Sequence, residues 1–181
     1  NSIVRTNENI FSCGYKYNYT NTLGENIWTE IYVTKTDLFG EVIWEKTFGP
    51  DASFENRWSA ALDMQITNDN NLIICGNWDE VAGTEFIQKV FLLKIDLEGE
   101  LIWSEQYNAG AEFMYNTCAA TSVIESSNGD FLMTGTVLDN SFLLKTDQNG
   151  NVLSRVIFEN VALNDIAKTF DGGFIMCGQN L

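Results

Sequence analysis

Phe91-Leu92-Leu93-Lys94-Ile95-Asp96-Leu97-Glu98-Gly99-Glu100-Leu101-Ile102-Trp103 decides the fold, because the chain contains this pattern three times. An apolar run leads into Asp-x-x-Gly, and a second apolar run leads out of it. The first copy runs from Ile31 through Lys35, Asp37 and Gly40 to Trp44, and the third from Phe142 through Lys145, Asp147 and Gly150 to Ser154. Four residues further on, the copies close on Phe48, Tyr107 and Phe158. This pattern predicts a β-hairpin. The aspartate side chain caps the turn, and the glycine takes the positive φ that a short connection needs.

A second unit alternates with the first. It reads Asn7 to Gly14, Asp69 to Gly76, Asn128 to Gly135 and Asp171 to Gly178: a polar turn, a short apolar run, then glycine. Such a run suits a strand buried on both faces, with glycine where another backbone comes close. The four closing glycines are 62, 59 and 43 residues apart. One period therefore holds about four short strands, the content of a β-propeller blade. No stretch sustains a 3.6-residue apolar period, which excludes a helical solenoid. The expected fold class is all-β, with propeller blades of four antiparallel strands. The units fall at about 1–59, 60–118 and 119–163, with a partial fourth at 164–181. Propellers close with about four to eight blades, so the chain is expected to be part of a larger propeller.

Asp-x-x-Gly-x-x-x-Trp, at Asp37/Gly40/Trp44 and Asp96/Gly99/Trp103, resembles the tryptophan-docking motif of quinoprotein-like propellers. The whole unit, with Lys-Thr-Asp-x-x-Gly-Asn and Asp-Gly-Gly-Phe-Ile-x-x-Gly, is similar to repeats of secreted and cell-surface propeller proteins of Bacteroidetes-type bacteria. The resemblance implies a tryptophan packed between neighbouring blades and an extracytoplasmic location. Ser154 departs from it where the third copy should carry Trp. The quinoprotein branch implies a redox cofactor, but its cofactor-binding residues have no counterpart here, so no cofactor is expected.

Charge narrows the partners. With 25 acidic against 10 basic residues, the formal net charge is −15, and phosphate backbones are repelled. No apolar run approaches the roughly 20 residues of a membrane-spanning helix. Histidine is absent, which removes the usual general base, the Ser-His and Cys-His pairings and the commonest metal ligand. No C-x-x-C pair suggests zinc, and no pair of carboxylates is marked as a glycosidase couple. Asp37, Asp96 and Asp147 lack the alternating oxygens of a calcium loop and read as turn caps. No catalytic, cofactor or metal residue is assigned, and the chain is read as a non-enzyme.

Repetition also explains the cysteines and lysines. Cys13, Cys75 and Cys177 hold one position in different units, with Thr134 as the fourth, and read as small buried side chains rather than disulfide partners. Lys35, Lys94 and Lys145 also repeat, and are expected to lay their stems on the hairpin with the ammonium at the turn aspartate.

What remains for function lies in two long excursions, 15–30 and 77–90, which shrink to 136–141 in the third unit. Loops that lengthen on one side of a propeller are where contact surfaces grow. Tyr15, Tyr17, Tyr19, Trp28 and Trp78 supply rigid aromatic area there and form the candidate binding surface. Covering the unit's own outer strand is the bland alternative. The expected function is a protein-binding scaffold or accessory subunit at a bacterial surface or outer membrane. A carbohydrate-binding or carbohydrate-active propeller comes second, and a quinoprotein-like redox propeller third. Asn18-Tyr19-Thr20 also matches a glycosylation sequon.

Overall fold

The computed structural model describes residues 1–19, 27–49, 58–82, 85–109 and 117–180, with side chains for all of these except 19, 27, 80–82, 85 and 86. The described residues are all-β. Three four-stranded antiparallel sheets follow one another along the chain, each in sequence order, and a two-stranded sheet completes the set. The first sheet holds β1 (Ser2–Arg5), β2 (Asn9–Tyr19), β3 (Ile27–Asp37) and β4 (Val42–Phe48). The second holds β5 (Ala60–Ile66), β6 (Leu72–Ala82), β7 (Glu85–Ile95) and β8 (Leu101–Tyr107). The third holds β9 (Cys118–Glu125), β10 (Phe131–Val137), β11 (Asn140–Thr146) and β12 (Val152–Glu159). The fourth pairs β13 (Val161–Lys168) with β14 (Phe174–Asn180).

The sheets pack face to face through alternate residues of their strands. Phe11, Cys13, Ile31 and Val33 of the first sheet meet Met64, Leu72, Ile74 and Phe91 of the second. The opposite face of the second sheet, with Ile73, Cys75, Val90 and Leu92, meets Val123, Phe131, Met133 and Phe142 of the third. Burial on both faces explains why the apolar runs of β6 and β10 are nearly continuous.

The repeated hairpin turns form as the sequence implies. Asp37, Asp96 and Asp147 each accept two backbone N–H groups, two and four residues ahead, at 2.8–2.9 Å. Gly40, Gly99 and Gly150 adopt φ of 89°, 78° and 85°. The second and third of these turns also receive a neighbour. Trp44 Nε1 donates to the Leu97 carbonyl at 3.3 Å, and its ring borders Gly99. Trp103 lies 5.9 Å from the Phe131 ring and borders Gly150, whose carbonyl accepts from Tyr107 Oη at 2.8 Å.

The first strands of successive sheets are linked by a string of hydrogen bonds. Ser2 Oγ donates to Asp63 Oδ1 at 2.9 Å, while Asp63 Oδ2 accepts from Val123 N at 3.0 Å and Ser122 Oγ at 3.3 Å. Ser122 Oγ also reaches Asp165 Oδ1 at 2.7 Å. Ser2, Asp63, Ser122 and Asp165 hold one register position, opposite Cys13, Cys75, Thr134 and Cys177.

Three expectations change. The excursions at 15–30 and 77–90 are largely strand: β2, β3, β6 and β7 each run 11 residues, against 7 for β10 and β11. Polar side chains at alternate positions conceal that two-residue period. The lysines do not meet the hairpin aspartates. Lys94 pairs with Asp69 and Lys145 with Asp130, each at 2.7 Å, in the turn that precedes the second strand of the sheet. Lys35, whose own sheet has no aspartate in that turn, reaches Glu98 of the second sheet at 2.7 Å. The strand geometry points these stems across the sheet rather than along it. Finally, Cys13, Cys75 and Cys118 are buried, but Cys177 is exposed on β14. The linkers 50–57 and 110–116 lie outside the described residues.

Candidate functional site

Two-residue alternation along β2 places Phe11, Cys13, Tyr15 and Tyr17 on one face. Phe11 and Cys13 are covered by the second sheet, whereas Tyr15 and Tyr17 remain 45% and 46% exposed where β2 outruns that cover. Their rings meet edge to face at 5.3 Å. A third aromatic, Trp58, comes from the segment before β5. It is 48% exposed and stands edge-on to Tyr17 at 6.1 Å. Tyr15, Tyr17, Thr29, Trp58, Ala60 and Asn77 line a shallow cleft of about 250 Å³.

The cleft rests on a fixed polar frame. Trp58 forms a parallel bridge with Thr29, whose Oγ1 donates to the Ser59 carbonyl at 2.8 Å. Trp58 N donates to Asp79 Oδ2 at 2.7 Å, and the Asn77 side-chain amide donates to the Trp58 carbonyl. Asp79 is 8% exposed; its Oδ1 accepts from Gln88 Nε2 at 2.7 Å, and Gln88 Oε1 accepts from Cys118 N at 2.9 Å. One chain of hydrogen bonds therefore runs from the first sheet through the second to the start of the third. A buried carboxylate supplied with several donors is a rigid anchor.

The other expected surface residues are dispersed. Trp28 pairs with Asn18 and lies on the opposite face of the first sheet, half-buried, with its indole N–H buried and without a partner among the described residues. Trp78 turns inward, its ring 6.2 Å from Phe91. Tyr19 ends β2, and its side chain lies outside the described residues, as does Thr20 of the sequon. Trp58 is absent from the surface that the sequence implies. It precedes the strand in a linker, and the matching place before β9 is Thr117, so repetition does not mark it.

The described residues contain no group of three or more His, Cys, Asp or Glu arranged to hold a metal ion. Burial pushes the Cys13 thiol up to about 11 and that of Cys118 up to about 12, and lifts Cys75 well above its ordinary value. These thiols are inert as nucleophiles at neutral pH. No helix among the described residues is long and apolar enough to cross a membrane. No known protein family matches the chain, and no curated protein matches it.

Proposed function

We propose that the four sheets are blades of a β-propeller that acts without catalysis as a protein-binding scaffold or accessory subunit outside the bacterial cytoplasm. The consecutive four-stranded meanders, the linked first strands and the tryptophans lodged against the next sheet's turn support the propeller reading. The resemblance of the repeats to secreted and surface propellers supports the location. The observation that carries the binding role is the trio Tyr15, Tyr17 and Trp58, half-exposed, with the Tyr17 ring against both of the others, beside a hydrogen-bonded frame. Aromatic side chains held rigidly at a surface lose little entropy on binding and dominate interface energies.

The test is capture from an extract of the bacterial envelope with the wild-type chain and with Tyr17→Ala/Trp58→Ala. A partner held by the wild type should bind the double variant about 30-fold more weakly, the loss of roughly 2 kcal/mol expected of a hot spot. Equal capture by both, or a free monomer throughout, contradicts the proposal. A second reading, glycan binding, is favoured by the open cleft with Asn77 at its edge. A glycan array that selects a sugar in a Trp58-dependent way would replace the first reading with this one.

A further inference from the structure

Lysines cover aromatic rings at several places among the described residues. The ammonium groups of Lys16, Lys35, Lys46 and Lys94 stand 5.6–5.9 Å from the ring centres of Tyr32, Phe11, Trp44 and Phe131. In each pair the negative face of the ring attracts the cation. Tyr15 and Trp58, both about half exposed, carry no lysine or arginine of the described residues over their rings.

The polar surroundings of these rings also favour a cation. None of the residues lining the cleft is charged, and two of its polar groups are turned to accept. Asn77 commits its amide N–H to the Trp58 carbonyl, which can only accept, so Oδ1 is the end that faces a ligand. No described residue donates to that oxygen. Thr29 Oγ1 likewise gives its proton to the Ser59 carbonyl and keeps its lone pairs. Behind the ring, the buried Asp79 carboxylate holds the Trp58 N–H at 2.7 Å, and a charge so placed is weakly screened by salt. The net charge of −15 acts in the same sense at longer range.

We infer that the cleft receives an arginine side chain of a partner protein, stacked on Trp58 and donating to Asn77 Oδ1. A planar guanidinium suits the site better than an ammonium. It is more weakly hydrated, it stacks on aromatic faces, and its five N–H donors still reach an acceptor at the ring's edge. The inference rests on the reading of Tyr15, Tyr17 and Trp58 as a protein-binding surface and adds what that surface selects.

The probe is N-acetyl-arginine amide, titrated at low ionic strength into the full chain labelled with ¹⁵N. Its uncharged counterpart, N-acetyl-citrulline amide, has nearly the same shape. The arginine compound should move the Trp58 indole and Asn77 side-chain amide resonances saturably, and the citrulline compound should bind at least about tenfold more weakly. Trp58→Leu, at a half-exposed position, should weaken the arginine compound about tenfold and leave the rest of the spectrum in place. Equal binding of citrulline, arginine binding undiminished in Trp58→Leu, or no shift at either resonance overturns the inference. Tighter binding of tetramethylammonium than of arginine also overturns it, by assigning the cleft to a quaternary ammonium. A failed titration beside a Trp58-dependent capture from the envelope removes the arginine and keeps the binding surface. A successful titration beside a failed capture keeps the cation site and removes the scaffold.

Discussion

At the scale of single residues, Asp69 shows how a turn acid is used. Partial burial pushes its pKa up, but hydrogen bonds from Lys94, Thr67 and Asn71 outweigh that and bring it down to about 2. A carboxylate depressed on folding contributes stability above its unfolded value. That contribution is lost as pH falls through the folded value, here between about 4 and about 2. Half-exposed as Asp69 is, solvent screening keeps the effect below about 1 kcal/mol. A carbon-detected NMR titration should find its carboxylate still ionised near pH 3, and Lys94→Met should return it toward the ordinary range. An Asp69 titration unmoved by that substitution would mean the ion pair does not form. The aspartate caps were legible in the sequence, since Asp-x-x-Gly carries its own turn geometry. The lysine partners were not, because an ion pair across a sheet depends on strand register.

At the scale of the strand, an inserted residue gives the repeated glycine its meaning. Leu62, Thr121 and Asn164 each add one residue to the first strand of a pair, and the register shifts there in all three sheets. The bulge drives the first strand's carbonyl toward the second. A Cβ on Gly76 would stand 1.9 Å from the Ala60 oxygen, and one on Gly135 or Gly178 would meet the Ala119 or Ala162 oxygen about as closely. Gly40 is different: it holds a φ of +89°, yet a Cβ there would have no other atom within 4 Å. Gly76→Ala should therefore cost about 3 kcal/mol or more, since backbone has to move. Gly40→Ala should cost about 1 kcal/mol, for the left-handed conformation alone. Urea unfolding of the two variants makes the comparison, and equal losses would contradict it. The close approach that the sequence implies at all four repeated glycines holds at Gly76, Gly135 and Gly178. It does not hold at Gly14, where the first strand has no bulge and a Cβ would meet only Asn1 N at 3.7 Å. The bulge itself did not show in the sequence. Neither did the lengthened hairpins, where Tyr15-Lys16-Tyr17-Asn18 alternates without looking apolar.

At the scale of the whole molecule, two features bind sheet to sheet in the same sense along the chain. Trp44 and Trp103 lodge on the next sheet's turn at the outer strands. The Ser2–Asp63–Ser122–Asp165 string joins the first strands. The repeat marked the tryptophans, and the resemblance of Asp-x-x-Gly-x-x-x-Trp to a docking motif implied their place between sheets. The polar string was not legible, because serine and aspartate alternate at one position and only the bulged register aligns them. If the first strands surround a common axis, as proposed, the outer strands must fan apart along an arc. Ile43, Ile102 and Leu153 hold equivalent, exposed places on β4, β8 and β12, and report that arc directly. Spin labels at cysteines introduced pairwise there, with Cys177→Ser, give three distances by pulsed electron paramagnetic resonance. The propeller account predicts two similar short distances and a 43–153 distance well below their sum; a 43–153 distance equal to that sum would place the sheets in a straight row and contradict it.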